Sequence, residues 1–213
     1  MNDKFKNLTE EKQNKIIKAA LDEFSEKGYD KSSTDIIAQN SEIAKGSLFY
    51  YFKSKKNLYL YIVEYCLDLI TEKLINDMNK INKGDFYERI MEVGWTKQRL
   101  LIEYPLHSKI ILDAFLNMPI ELKENLDNLY IKNYTSNMQI LQKYILDYMD
   151  LELLKPTVKK EDAIFITMSL FEAFSKKYTE MYKNRVEDLL NNKEQFFKEF
   201  DKYVDIIKYG IYK

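Results

Sequence analysis

Lys45-Gly46-Ser47-Leu48-Phe49-Tyr50-Tyr51-Phe52 is the stretch on which the fold turns. Leu48 and Phe52 are four positions apart, so on a helix they share one face. The pattern predicts a short helix from near Ala44 to about Tyr51 with those two side chains turned inward. Upstream, Ser32-Ser33-Thr34-Asp35 offers several caps, and Ser32 with Asp35 has the spacing of a capping box. A short helix carrying Ile36, Ile37 and Ala38 is expected after it, and Asn40-Ser41-Glu42 then breaks the apolar pattern. Two short helices joined by a turn of a few residues outline a helix-turn-helix over about 33–52.

Outward from this centre the chain reads as helix. Thr9-Glu10-Glu11 is a cap followed by an acidic first turn, which suits the positive end of a helix dipole. Ile16, Ile17, Ala20, Leu21 and Phe24 recur at helical spacing, and Gly28 fits the left-handed position that ends a helix. The first helix is therefore expected over about 9–27. Ser54 can cap a long helix over about 55–79, with Leu58, Ile62, Tyr65 and Leu69 along one face. Asn82-Lys83-Gly84-Asp85 reads as a turn. Further helices are expected at about 86–103, 106–116, 119–149, 160–184 and 192–212, with Pro105 and Pro119 at helix starts and Pro156 in a loop. That makes nine helices and no strand in an all-α chain. Only 5 Gly and 3 Pro in 213 residues agree with long uninterrupted helices rather than a sandwich or barrel. The expected organisation is an N-terminal three-helix segment, 1–54, a connecting helix, 55–79, and a C-terminal helical domain, 80–213.

The net charge of −1 excludes a uniformly basic protein, so any nucleic-acid contact must come from a local patch. Residues 45–56 supply one: Lys45, Lys53, Lys55 and Lys56 with no acid, interleaved with Phe49, Tyr50, Tyr51 and Phe52. Cations neutralise phosphates and release counterions, and the hydroxyls of Ser47 and the tyrosines can bond phosphate or base edges. Gly46 lets the backbone at a helix start approach a phosphate closely. Lys55 and Lys56 fall in the first turn of a helix, where a cation is disfavoured by roughly 0.3–1 kcal/mol. A docked phosphate would reverse that sign, so this helix start is expected to grip a DNA backbone. On charge alone, a solvated lysine face over a core of aromatics explains the same residues; the helix-turn-helix layout favours the DNA reading.

The stretch 34–58 resembles the DNA-binding domain of the TetR family of bacterial regulators, carried by Ile37-Ala38 and by Lys45-Gly46-Ser47-Leu48-Phe49-Tyr50-Tyr51-Phe52-Lys53-Ser54-Lys55-Lys56-Asn57-Leu58. The resemblance extends over about 9–69. It departs at Ser41-Glu42, where the family has Ala-Gly, at Asn57, where it has Glu, and at Phe49, where Tyr is commoner. A turn of different backbone shape is expected at Ser41-Glu42. The resemblance implies that Thr34 contacts phosphate, that Ala44, Lys45, Gly46 and Ser47 enter the major groove, and that Phe49 packs on a thymine methyl or sugar edge. It further implies that Tyr50, Tyr51 and Lys55 meet the DNA backbone, over a small core of Phe24, Ile37, Leu48 and Phe52; Lys56 joins them on the helix-start argument.

The resemblance also implies that 80–213 binds a small molecule and forms a homodimer through the last two helices. Ile166, Leu170, Ala173 and Lys177 share one face of the helix 160–184, and Phe197, Phe200, Val204, Ile207 and Ile211 share one face of 192–212. Two such stripes from each subunit can form a four-helix bundle, although each can equally be core within one chain. A reading head spanning half-sites about 34 Å apart favours a dimer. Candidate walls of a ligand cavity are Trp95, Tyr104, Phe115, Tyr130, Tyr134, Phe171, Phe174 and Tyr178, with His107 as a polar tip. Each alone is more often plain core, and His107 more often an exposed residue at a helix start. The expected function is a sequence-specific transcriptional regulator, a repressor that leaves its operator when a small, largely apolar effector binds; an activator or a ligand-independent regulator is the alternative, with an unrecognised enzyme or a non-DNA-binding interaction module behind it. Ligand binding would shift the helix 55–79 and change the separation of the two heads.

One Cys and one His leave no nucleophile–base pair, no Gly-rich phosphate loop is present, and a lone His makes a poor metal site. No enzyme activity, metal or cofactor is expected. The single Cys66 cannot form an internal disulfide, the N-terminal residues are polar, and no apolar run reaches the roughly 18 residues of a spanning helix. A cytoplasmic protein that sits on the nucleoid when bound is expected, without a membrane partner.

Overall fold

A computed structural model describes residues 3–81 and 84–212, with the side chains of Asp3 and of 134–138 outside the description. Among the described residues there are eleven α-helices: α1 (Asp3–Lys6), α2 (Glu10–Lys31), α3 (Thr34–Asn40), α4 (Lys45–Phe52), α5 (Lys55–Met78), α6 (Phe86–Glu103), α7 (Pro105–Leu116), α8 (Lys123–Tyr144), α9 (Lys160–Tyr182), α10 (Val186–Asn191) and α11 (Lys193–Ile211). Tight 3-10 turns lie at Ile120–Leu122, Leu146–Tyr148 and Leu151–Leu153. An isolated antiparallel bridge joins Leu154 to Tyr212, and no strand occurs among the described residues. The all-α class read from the sequence is the observed one.

The differences from the expected helices have local causes. Gly28 breaks α2 at the expected place, with φ 68 and ψ −178, a conformation open essentially to glycine alone. Thr9 flanks α2 without a side-chain capping bond. The cap of α3 is Ser33 rather than Ser32: its Oγ accepts the Asp35 N–H, while Ser32 Oγ donates to the Tyr29 carbonyl at 2.8 Å. Ser54 caps α5 as expected, accepting the Asn57 N–H at 3.1 Å. The helix expected over 119–149 opens in a 3-10 turn after Pro119 and leaves α geometry at Ile145. α9 stops before Asn184, whose left-handed φ of 59 a short polar side chain tolerates, and α10 follows as a separate helix.

The chain divides into two compact units, 1–70 with 104–131, and 71–103 with 132–213. This grouping differs from sequence boundaries at 54 and 79, because Ile110, Ala114, Leu122 and Leu126 join the same buried cluster as Phe24, Ile37, Leu48, Phe52, Leu58 and Ile62. The apolar face of α2 (Ile16, Ile17, Ala20, Leu21 and Phe24) is buried in that cluster throughout. Burying each large apolar side chain contributes about 1.5–3 kcal/mol, so this shared core is what holds the short helices α3 and α4 in place.

In the second unit α6 packs on α11. Phe197, Val204 and Ile211 are buried within the single chain, which agrees with the intrachain-core reading of that stripe. Phe86, Tyr87, Ile90 and Leu100 form the buried face of α6. Gly94 sits at the closest approach: a Cβ there would lie 2.8 Å from the Phe200 ring. Gly94→Ala is therefore expected to destabilise the chain by about 1–3 kcal/mol through overpacking, although alanine is the better helix former. Urea unfolding checks this; a stabilised variant would contradict the packing.

α9 meets α11 through aromatic rings and one carboxylate. Phe174 lies 5.0 Å and Tyr178 4.5 Å from Phe196, and Phe171 stacks 5.4 Å from Phe200. Glu199 accepts hydrogen bonds from Lys177, Tyr178 and Tyr203. These donors, Lys177 first, hold its carboxyl at about 2 against an ordinary 4.5. A depressed carboxyl stabilises the fold fully above its ordinary pKa, and that contribution fades as pH falls from about 4.5 towards about 2. Glu199→Gln is expected to flatten the loss of stability in that window, read from thermal midpoints between neutral pH and pH about 2; an unchanged profile would mean the cluster is not coupled to folding.

Candidate nucleic-acid interface

The reading element is built from α3, its turn and α4. Ser33 is fixed from both sides: its Oγ accepts the Asp35 N–H at 3.3 Å, and its own N–H donates to the buried Glu23 carboxylate at 2.7 Å. Glu23 ties the start of α3 to α2 and was not picked out from the sequence. The signal was an acid on the apolar stripe of α2, beside Phe24.

The turn between α3 and α4 places Glu42 in a backbone that glycine would favour. Glu42 has φ 58, in the left-handed region. The buried Ser41 Oγ donates to the carbonyls of Ile37 at 2.7 Å and Ala38 at 3.1 Å. Glu42 pairs with Lys15 of α2 at 2.7 Å. Both groups are exposed, so solvent screens the pair and it adds little to stability. A side chain in this conformation costs roughly 1–2 kcal/mol.

α4 then divides by face. Leu48 and Phe52 are buried, 1% and 7% exposed, against Phe24 and Ile37 in one cluster. Ala44, Lys45, Gly46 and Tyr50 are exposed, while Thr34, Ser47, Phe49 and Tyr51 are half-buried. A Cβ on Gly46 would meet no protein atom within 4 Å, so nothing in the chain itself demands glycine there. Lys45 Nζ pairs with Asp35 at the head of α3 at 2.7 Å. No periodicity links positions 35 and 45, so that partner was not legible beforehand.

Lys55 and Lys56 have protein partners. Lys55 Nζ donates to the Asp30 carbonyl at 3.1 Å and lies 5.0 Å from the Tyr29 ring centre. Lys56 Nζ donates to the Glu121 carbonyl at 3.3 Å, and the Tyr29 hydroxyl bonds the Glu121 carboxylate. Their place at a helix start is thus accounted for without a phosphate.

The aromatic residues expected to wall a ligand cavity fall in both units. Phe171, Phe174 and Tyr178 fill the contact between α9 and α11. Trp95 lines a cavity of about 580 Å³ in the second unit with Asp77, Lys80, Thr96 and Arg99, and its indole N–H donates to Asp201 at 3.3 Å. In the first unit Phe115 and Tyr130 meet edge to face at 6.0 Å. His107 is half-buried between Tyr65 and Tyr104 rather than exposed, and burial lowers its pKa. The Tyr134 side chain lies outside the described residues. Burial pushes the Cys66 thiol up to about 12, which removes its nucleophilic form at neutral pH. Among the described residues no group of three or more His, Cys, Asp or Glu side chains is placed to hold a metal ion, and no helix is long and apolar enough to cross a membrane.

These observations define an all-helical protein with an N-terminal helix-turn-helix head. Residues 16–62 match the model of the bacterial regulatory proteins of the tetR family. The likeness to that family lies in the head of the chain. The biofilm operon icaADBC HTH-type negative transcriptional regulator IcaR of Staphylococcus aureus is 44% identical over 68 residues, covering 32% of this chain and 37% of that protein. The match thus spans about a third of that curated relative's length. Two solved structures share the fold. A putative tetR family transcription regulator from Shewanella sp. PV-4 has TM-score 0.57 at 14% identity, covering 95% of this chain and 98% of that one. The transcriptional regulator FadR from Bacillus subtilis, in complex with stearoyl-CoA, has TM-score 0.56 at 17% identity, covering 87% and 95%.

Proposed function

We propose that the chain is a sequence-specific DNA-binding transcriptional regulator, a repressor released from its operator by a small-molecule effector. The observation that carries this reading is the division of α4, with Leu48 and Phe52 buried and Lys45, Gly46 and Tyr50 exposed on the other side. In this reading Ala44, Lys45, Gly46 and Ser47 enter the major groove, Lys45 and Ser47 reach base edges, and Phe49 packs on a thymine methyl or the sugar edge. Thr34, Tyr50 and Tyr51 meet phosphates, and Lys55 and Lys56 do so by exchanging their carbonyl partners for phosphate oxygens. Repression is supported by the likeness of the head to IcaR, whose name records a negative regulator. An effector with an acyl chain is supported by the stearoyl-CoA complex of FadR. The protein works in the cytoplasm as a homodimer. The exposed apolar residues Phe165, Ile166 and Met181 of α9 and Ile206 and Tyr209 of α11 form the dimer surface, since the other face of α11 is spent inside the chain.

Gly46→Ala tests the DNA reading directly. Its Cβ meets no protein atom, so stability is expected to hold or rise by up to about 1 kcal/mol, while affinity for a duplex selected by the parent from a random-sequence pool falls. Undiminished binding would mean the backbone at Gly46 does not approach DNA. Titrating acyl-CoA esters into the complex tests the effector: release supports it, and tight binding without release contradicts the coupling.

A further inference from the structure

The run 45–56 carries no acid, yet the fold brings one to its first residue. Lys45 Nζ lies 2.7 Å from Asp35 Oδ1 and 3.0 Å from Oδ2. The two side chains stay 55% and 64% exposed, so solvent screens the pair and it does little for the fold. Both stand on fixed backbone. The Asp35 N–H donates to Ser33 Oγ at 3.3 Å, and the Ser33 N–H donates to the buried Glu23 carboxylate at 2.7 Å. The helix of Lys45 is seated by the buried Leu48, and its entry is tied to α3 by the Ile43 N–H on the Ala38 carbonyl at 3.0 Å. A carboxylate beside a lysine that reads DNA is repelled by every phosphate, so only a hydrogen-bond donor on a base edge suits it.

We infer that Asp35 is a specificity-determining residue and that the Lys45–Asp35 pair reads one G·C base pair of the operator, which rests on the DNA-binding reading above. The pair presents a donor and an acceptor one hydrogen bond apart. In the major groove guanine O6 and the cytosine N4 amino group are an acceptor and a donor, also one hydrogen bond apart because they bond each other. The ammonium meets O6, with N7 as a second acceptor beside it, and the carboxylate accepts from N4. An A·T pair fits worse. Its one major-groove donor, adenine N6, stands between two acceptors, N7 and thymine O4, and both repel a carboxylate. Asp35 therefore adds little affinity of its own and discriminates between base pairs by what it rejects.

The test is selection from a random-sequence pool by the full-length parent, Asp35→Asn and Asp35→Ala, followed by affinities for the parental duplex and its single base-pair variants. The parent is expected to require G·C at one position and to bind about 5- to 150-fold more weakly when that pair becomes A·T. Asp35→Asn replaces an acceptor-only carboxylate with an amide that suits adenine N6 and N7, so its preference at that position should move to A·T. Asp35→Ala should lose the preference there and keep the parental one elsewhere. Asp35 is exposed, so all three proteins should unfold at similar temperatures. Variants that enrich the parental sequence at every position would overturn the inference. A gain in affinity that is uniform across sequences would overturn it as well, since Asp35 would then act on DNA by charge alone. If the parent enriches no duplex, the DNA-binding reading itself fails, and the base-pair assignment with it.

Discussion

Phe52→Ala is expected to lower the stability of the helix-turn-helix unit by about 3–5 kcal/mol, the range for deleting a buried aromatic ring. Phe52 is the residue on which three helices meet: it closes α4, its ring lies 4.8 Å from Phe5 of α1 and 5.5 Å from Tyr61 of α5, and it is 7% exposed. A domain holds only about 5–15 kcal/mol in total, so this one deletion removes much of the margin. The effect should appear as a lower urea midpoint and as loss of DNA binding that returns on cooling. Phe52→Leu, which keeps most of the volume, should cost clearly less. A Phe52→Ala protein as stable as the parent would refute the core that seats the reading helix.

Arg89→Ala is expected to cost the second unit about 2–4 kcal/mol, from charge-assisted hydrogen bonds and a desolvated cation–ring contact. Arg89 is 3% exposed on α6. Its Nε donates to the Gly84 carbonyl at 3.1 Å, its Nη1 to the Tyr144 carbonyl at 3.4 Å, and its guanidinium carbon lies 3.3 Å from the Tyr148 ring centre. One planar group thus ties the start of α6 to the end of α8 and to the 3-10 turn after it. A lysine ammonium is a point charge without this fork, so Arg89→Lys should recover little of the loss. Thermal unfolding of the three proteins checks this, and full rescue by Arg89→Lys would show that charge alone matters.

The reading head was legible because its information is local. Leu48 and Phe52 at i and i+4, the caps near 33 and 54 and the break at Gly28 each depend on neighbours in the chain, and the structure has them in those roles. α1 was not legible, since four residues carry no period and Phe5 is buried by partners at 51, 52 and 61. The stripe on α11 was seen as buried, but a stripe does not say what buries it. Gly94 of α6, which makes room for Phe200, was the clue that the partner lay in the same chain. For Lys55 and Lys56 the dipole argument found the anomaly correctly. It could not foresee acceptors at Asp30 and Glu121, 25 and 65 residues away in sequence. Phe171, Phe174 and Tyr178 follow the same logic: residue type marks a side chain for burial and leaves open whether a ring or a ligand covers it.

The measurement that bears most directly on the account is the affinity of the parent, Lys45→Ala and Tyr50→Ala for the selected duplex, taken together with their thermal midpoints. Lys45 and Tyr50 are exposed, so both variants should fold like the parent. Each is expected to bind about 5- to 150-fold more weakly, the cost of losing one specific contact of about 1–3 kcal/mol. Unchanged affinity in both variants, with the fold intact, would contradict the assignment of α4 as the helix that reads DNA.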